Sequence, residues 1–329
     1  MRLADHLDRN IFTDNVEQVP NRNGYGEGLK EAGEKDVRVV ALSADLTGST
    51  KTNLFADAFP ERFVQVGIAE QNMASVASGM AAVGKIPFIA SYAMFSPGRS
   101  WEQVRTTIAY NNSNVKVIGA HSGVSVGPDG ATHQAVEDMA IMRVIPNMVV
   151  IAPCDVHEAR KATLWAAEYE GPVYIRIARE NSPVVTTADS PFDYGKAQLL
   201  AEGVDSAENK VGIITTGILA HNALMAAKEL NEAGISTSVL HVPFIKPLDE
   251  EAVLALAKNN DFIVTLEEHQ VAGGLGSAVA EYLSETHPTK IIRLGVHDQF
   301  GQSGTPEELL AHYGMDTKTL LDTVRKNLN

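Results

Sequence analysis

The chain has 329 residues, enough for two domains with sizeable cores, and its 44% apolar content with 6% aromatics excludes a disordered class. A formal net charge of −14 argues against nucleic acid or an anionic membrane as a partner, because both would repel the chain at long range. The N-terminus lacks the apolar core of a signal peptide, and no apolar run reaches the roughly 20 residues of a membrane span. We therefore expect a cytoplasmic protein, in which the single cysteine, Cys154, is a buried and inert thiol.

Strand-like apolar runs alternate with helical stretches through the first half of the chain. Strands are predicted at 37–42, 63–66, 86–90, 115–120, 148–151 and 173–177. This alternation is typical of a mostly parallel sheet with helices on both faces. After Arg179, two prolines among turn-forming residues indicate a linker, so we place the boundary near Asp189, with domains at 1–188 and 189–329.

The same alternation restarts beyond the linker. Strands are predicted at 211–215, 236–241, 262–266 and 290–294, with helices at 221–233, 249–258 and 276–283. The second half is therefore predicted to be a smaller α/β domain.

An acidic residue, Glu70, stands where a predicted strand turns into a helix, in the segment G-I-A-E-Q-N. A carboxylate there interacts favourably with the helix dipole, and a helix-start acid is the simpler interpretation of an isolated glutamate. The helix that follows carries small residues at four-residue spacing, Ala74, Ser78 and Ala82, with Gly79 beside them. Small side chains let another backbone approach closely, and that backbone could belong to the same chain or to another subunit.

A glycine-rich loop at 119–134 contains four glycines, one proline, Asp129 and two histidines. Such a loop at the carboxyl edge of a parallel sheet can bring imidazoles and backbone groups close to a small polar ligand. Asp129 and Gly130 alone indicate only a turn, and His133 alone suits a helix start. Two histidines and an acid on one such loop favour a functional site.

Four segments of the chain together resemble one enzyme family. They read, in chain order, G-I-A-E-Q-N-M, G-P-D-G-A-T-H-Q, E-D-M-A-I-M-R-V-I-P-N-M and I-R-I-A-R-E-N-S-P. The set resembles the pyrimidine-binding and C-terminal domains of transketolase, a thiamine-diphosphate enzyme, from about Arg22 onward. The resemblance implies an α/β pyrimidine-binding domain with a mostly parallel sheet, followed by a smaller α/β C-terminal domain.

The resemblance also implies residues that hold the cofactor. Glu70 matches the glutamate that shares a proton with a pyrimidine nitrogen, which favours the imino form that can remove the C2 proton. Tyr92 and Phe95 match aromatics that stack on the pyrimidine, with ordinary core packing as the alternative. Asp45 matches an acid near the cofactor across the subunit interface, although its segment is also compatible with a strand-end turn. A third aromatic found in some members has no counterpart at 96–99.

Substrate contacts are implied in the same way. His121 and His133 match histidines that contact hydroxyls near the reacting carbon and assist proton transfer, and Asp129 matches an acid that reads a sugar hydroxyl. Arginine suits a phosphate because its fork donates two hydrogen bonds. The positions that hold the sugar phosphate are matched by Arg22, Ser49 and Arg179.

One motif of the family is absent. The family holds the diphosphate through magnesium or calcium on a G-D-G motif with an asparagine about thirty residues on, and this chain contains no G-D-G. We therefore expect no metal ligand here. The resemblance implies the C-terminal subunit of a split transketolase, in a two-plus-two heterotetramer with an N-terminal subunit that carries the metal and diphosphate site. The implied reaction, of the pentose phosphate pathway, transfers a two-carbon ketol unit from a ketose phosphate to an aldose phosphate.

Three alternatives remain. The β subunit of a 2-oxo-acid dehydrogenase has similar length and domain order but lacks the G-P-D-G-A-T-H-Q pattern. A deoxyxylulose phosphate synthase shares the loop but is normally one long chain. A catalytically silent assembly subunit would keep the fold and lose the chemistry, and the intact Glu70, His121, Asp129 and His133 argue against it.

Overall fold

The computed structural model describes residues 1–204 and 207–328, which form two α/β units and a short two-stranded ribbon. The strands are β1 Arg2–Leu3, β2 Gln18–Pro20, β3 Val39–Ser43, β4 Phe63–Gln65, β5 Ile86–Tyr92, β6 Lys116–Ala120, β7 Val149–Ile151, β8 Val173–Arg176, β9 Asn181–Pro183, β10 Gln198–Glu202, β11 Lys210–Thr215, β12 Ser236–His241, β13 Phe244–Lys246, β14 Phe262–Gln270 and β15 Ile291–Val296. The helices are α1 Asn21–Lys35, α2 Asn53–Ala58, α3 Glu70–Ala82, α4 Trp101–Gln103, α5 Asp138–Arg143, α6 Val156–Glu168, α7 Ala220–Glu232, α8 Glu250–Lys258, α9 Leu275–Thr286, α10 Pro306–His312 and α11 Thr317–Asn327. A π-helical segment, Val104–Ala109, continues α4, and short 3₁₀ segments cover Pro60–Arg62, Val124–Asp129 and Gly217–Leu219.

The first unit is built on a seven-stranded sheet in the order β13-β7-β8-β6-β5-β3-β4. Its strands run parallel except for β13, which pairs antiparallel with β7. Each of the six strands predicted from the first half is present, with small shifts at the ends. The predicted mostly parallel α/β fold is therefore confirmed.

The second unit is built on a six-stranded sheet in the order β1-β10-β12-β11-β14-β15. Strands β12, β11, β14 and β15 run parallel, while β10 and β1 are antiparallel additions at one edge. The strands and helices predicted for the second half are present, and β14 extends to Gln270, beyond the predicted end.

The two units are joined at their edges and through their cores. Strand β1, from the N-terminus, pairs in the second sheet, and β13, from the second half, pairs in the first sheet. The linker predicted after Arg179 begins instead as β9, which pairs with β2, because the backbone groups of 181–183 find partners there. One apolar cluster contains side chains of both units, such as Met73 and Ile89 with Leu240 and Val253. The division at Asp189 stays a prediction.

Parallel strands of the first sheet end at one common edge, and the loops that leave this edge carry the candidate residues. Asp45 follows β3, Tyr92 ends β5, His121 follows β6 and Arg179 follows β8. This is the edge at which open α/β sheets bind ligands. Among the residues that the structure describes, no helix has the length and apolar character needed to cross a membrane.

Candidate active site

The acidic candidate, Glu70, is the first residue of α3, and its side chain is only 2% exposed. Its carboxylate has a specific partner, because Nη1 of Arg99 lies 3.2 Å from its Oε2. Arg99 is 51% exposed and belongs to the segment at 96–99 that the sequence left without a role. The buried acid is therefore held from the solvent side by an arginine.

Aromatic and imidazole rings form a cluster next to Arg99, whose guanidinium carbon lies 5.1 Å from the centroid of Phe95. Tyr92 and Phe95 stack with centroids 5.9 Å apart, and Tyr92 stacks on His121 at 3.9 Å. His133 meets the edge of Phe95 at 5.5 Å. The structure thus brings together the two predicted aromatics and the two predicted histidines.

His121 is buried and adopts a left-handed backbone conformation, with φ of 53°. Burial, together with the positive charges of Arg22 and Arg179 and the nearby His133, lowers the pKa of His121 to about 3. The imidazole is therefore neutral at physiological pH. Its Nδ1 is buried and has no hydrogen-bond partner among the described residues.

Four of the six predicted substrate contacts form two pairs. Arg22 donates a hydrogen bond of 2.9 Å to the backbone oxygen of Ser49, and burial lowers the pKa of this arginine. Arg179 lies 3.2 Å from Oδ2 of Asp129 and 3.1 Å from the carboxylate of Glu180. Two guanidinium groups thus stand near the imidazole of His121, and Glu180 is a neighbour that the sequence did not single out.

Asp45 is not joined to this group. It is exposed, with a φ of 61°, and its backbone N–H donates to Oε1 of Gln65 at 2.8 Å. Within residues 1–204 and 207–328, its side chain contacts none of the other candidate residues. Its role at a subunit interface stays a prediction.

A glutamine that the sequence did not single out holds the glycine-rich loop against the second unit. Nε2 of Gln134, in a residue only 2% exposed, donates to the backbone oxygens of Val124 at 3.0 Å, Gly127 at 3.2 Å and Gln302 at 2.9 Å. A Cβ on Gly301 would lie 1.7 Å from Oε1 of Gln134, so the two loops are in tight contact. The C-terminal unit therefore supports the loop that carries the candidate histidine and acid.

Comparison with known protein families identifies the family of the chain. The model of the transketolase pyrimidine binding domain matches residues 17–184, and that of the transketolase C-terminal domain matches residues 200–320. The chain belongs to the transketolase family. Its α/β units therefore correspond to the two domains implied by the sequence resemblance.

Several transketolase relatives resemble the chain over nearly its whole length. The 6-deoxy-6-sulfo-D-fructose transketolase subunit of Clostridium sp. (strain MSTE9) is 42% identical, covering 93% of this chain and 95% of that protein. An apulose-4-phosphate transketolase subunit of Phocaeicola vulgatus is 38% identical, covering 93% and 97%. A solved structure described as a split gene transketolase, inactive β4 tetramer, is 43% identical with a TM-score of 0.85, covering 94% and 98%. These findings support a transketolase-family transferase subunit that takes part in ketol transfer.

The residues at the edge fit one half of thiamine diphosphate, the cofactor of the transketolase family. A buried carboxylate at Glu70 and the stacked rings of Tyr92 and Phe95 suit an aromatic ring that carries a nitrogen. The Nδ1 of His121 is a buried polar atom that no described residue satisfies.

A buried group of side chains has the composition of a metal site. Over the described residues, one group could offer three ligands, namely Cys154, Glu158 and His241, and all three are buried. Oε2 of Glu158 already accepts hydrogen bonds of 2.7 Å from the Cys154 N–H and from His241, and Oε1 accepts one from Gln198 at 3.0 Å. Burial raises the pKa of the Cys154 thiol, which disfavours the thiolate that binds metals. We interpret the group as a structural tie between α6 and β12.

Substitution of Gln134 tests whether this residue supports the glycine-rich loop. Replacing Gln134 with Leu keeps the size but removes three hydrogen bonds to carbonyl oxygens, of which that of Gly127 also accepts from the N–H of Gly130 at 3.2 Å. We therefore expect a loss of about 1–3 kcal/mol in the free energy of unfolding. We also expect KM for the sugar to rise more than kcat falls, because Asp129 and His133 lose their support. Thermal unfolding and steady-state kinetics measure both.

The matched control is Gln302→Leu, which changes an exposed side chain and keeps the backbone oxygen that Gln134 contacts. Stability and KM should change little in this control. An unaltered KM in a destabilised Gln134→Leu enzyme would show that the glutamine supports the fold alone.

Proposed function

We propose that this chain is the C-terminal subunit of a split transketolase, which transfers a two-carbon ketol unit from a ketose phosphate to an aldose phosphate. The observation that carries the proposal is the series of contacts at one edge of the sheet that connects Glu70 through Arg99 to the stacked rings of Phe95 and Tyr92 and on to His121. Arg22 and Arg179 lie near that histidine. The experiment that tests this proposal is to measure exchange of the C2 proton of thiamine diphosphate in the Glu70→Gln variant.

Each residue has a proposed role in this reaction. Thiamine diphosphate supplies, when bound, the carbon nucleophile that adds to the ketose carbonyl. Glu70 would hold a proton at the pyrimidine nitrogen, and Tyr92 with Phe95 would fix the plane of that ring. The neutral imidazole of His121 and the imidazole of His133 would exchange protons with hydroxyls at the reacting carbons.

An anionic sugar terminus is the proposed ligand of Arg22 and Arg179. Both arginines stand close enough to His121 to lower its pKa, so two guanidinium groups lie near an imidazole that is proposed to contact the substrate. Arg179 is also paired with Asp129 and Glu180. In support, two relatives are named for sugars with an anionic group, a sulfonated fructose and apulose 4-phosphate. We propose a phosphate here, with a pentose phosphate type of sugar as substrate.

The phosphate role yields a direct test. Arg179→Ala and Arg22→Ala should each raise KM for a phosphorylated acceptor by roughly tenfold to a hundredfold, the equivalent of losing charge-assisted hydrogen bonds. The reaction with glycolaldehyde, which has no phosphate, should remain nearly intact. Kinetics with both acceptors measure this selectivity.

Arg2→Ala is the matched control, because this exposed arginine pairs with Glu202 on the second sheet. Its kinetics should match the wild type with both acceptors. Equal losses with the two acceptors in the Arg179 and Arg22 variants would rule out the phosphate role.

The complete site is proposed to need a partner. An N-terminal subunit would supply magnesium or calcium and the diphosphate site, in an assembly of two copies of each chain. Two observations support this proposal. This chain contains no G-D-G motif. The related solved structure is described as a split gene transketolase in an inactive β4 tetramer. Exposed apolar residues flank α3, with Ile68 at 73% and Val83 at 78% exposed, as an interface would require.

A further inference from the structure

Arg99 contacts two of the three residues that are proposed to contact the pyrimidine ring. Its Nη1 lies 3.2 Å from Oε2 of Glu70, and its guanidinium carbon lies 5.1 Å from the centroid of the Phe95 ring. A flat, charged group thus lies against the acid and the aromatic face together. This is the position that a flat heterocycle would need in order to contact the same two groups.

The negative charge of Glu70 explains why Arg99 occupies this position in the chain without cofactor. Glu70 is 2% exposed, and a buried carboxylate without a partner is strongly disfavoured. Arg99 supplies that partner while half of its own side chain stays in solvent, so it can leave without any rearrangement of the core. A ring nitrogen that donates to Glu70 would replace the arginine as its partner.

We propose that Arg99 is a displaceable placeholder, which pairs with Glu70 and covers Phe95 until the pyrimidine ring takes its position. The inference rests on the proposed function, since it assumes that Glu70 and Phe95 contact this ring. It assigns Arg99 a positioning role and makes the ion pair a competitor of the cofactor. A permanent contact to the bound cofactor would have the opposite effect on affinity.

Cofactor affinity in the assembled two-subunit enzyme separates these roles. We would titrate thiamine diphosphate with magnesium by calorimetry into wild type and Arg99→Met, which keeps the length of the side chain and removes the charge. The placeholder predicts that Arg99→Met binds roughly twofold to fivefold more tightly, the equivalent of a half-exposed ion pair that no longer has to be broken. High salt should narrow this difference, because salt screens the ion pair of the wild type.

Two further variants keep the test sharp. Arg99→Lys retains the charge and should bind the cofactor as the wild type does. Arg105→Met removes an exposed arginine from the adjoining π-helical segment and should change nothing. Thermal unfolding of each cofactor-free variant checks that it is folded. Weaker binding by Arg99→Met, or binding equal to that of the wild type, overturns the placeholder.

The test also separates this inference from the proposed function. If Arg99→Met binds no more tightly while Glu70→Gln slows exchange of the cofactor C2 proton, the role of Glu70 stands and that of Arg99 is wrong. If Glu70→Gln leaves both exchange and cofactor affinity unchanged, the proposed function fails and the placeholder fails with it.

Discussion

Glu70→Gln should lower the activity of the assembled enzyme by at least roughly a hundredfold, the scale of losing acid–base assistance. The amide keeps the size of the side chain and its hydrogen-bonding capacity, but it cannot hold the proton that the pyrimidine nitrogen needs. Exchange of the C2 proton of thiamine diphosphate, measured in the assembled variant, should slow in parallel. This measurement distinguishes a defect in activation from a defect in binding.

Stability should change little in this variant. Glu70 pairs with a half-exposed arginine, and ion pairs of that kind contribute about 0–1 kcal/mol. Glu102→Gln is the matched control, because Glu102 is an exposed acid on α4 close in sequence to Arg99. Its activity and exchange rate should equal those of the wild type. Wild-type exchange in Glu70→Gln would make Glu70 a structural helix-start acid.

The central strands of the two sheets could be predicted from the sequence because each of them is a local run of apolar residues. Strands buried on both faces read as mostly apolar runs, such as Val39–Ser43 and Lys116–Ala120, in which Lys116 is the one charged residue. The residue that follows each run then lies at a known edge of the sheet. His121 and Asp45 could be placed at this edge for that reason. The motif around Glu70 added the helix start, which the structure shows at this residue.

The parts that the sequence missed depend on pairs of residues far apart in the chain. Arg99 reaches Glu70 across 29 positions, and Gln134 reaches the backbone of Gln302 across 168. The hydrophobic periodicity of the sequence does not indicate such pairs, because each of these residues is by itself typical of a surface or a loop. Strands β1 and β13 were missed for a related reason, since two or three residues are too few to show a pattern.

The small-residue stripe of α3 left open whether this helix packs against its own chain or against another subunit. Ala74 is buried within the chain, and Ser78 donates a hydrogen bond of 2.6 Å to the backbone of Thr107. Gly79 and Ala82, on the same stripe, are exposed, and a Cβ on Gly79 would meet nothing within 4 Å. One side of α3 therefore packs on its own chain, and the other is free for a subunit contact.

The isolated chain should fold but neither bind thiamine diphosphate tightly nor turn over sugars. It offers the pyrimidine side through Glu70 and Phe95, while its three-ligand group at Cys154, Glu158 and His241 is buried and already hydrogen-bonded, over the residues described. We therefore expect the metal anchor of the diphosphate to come from the partner subunit. Calorimetry with cofactor and magnesium, with and without the partner subunit, measures the difference. Micromolar binding by the isolated chain would contradict a divided site, because that affinity is about 8 kcal/mol, more than a ring pocket alone should supply.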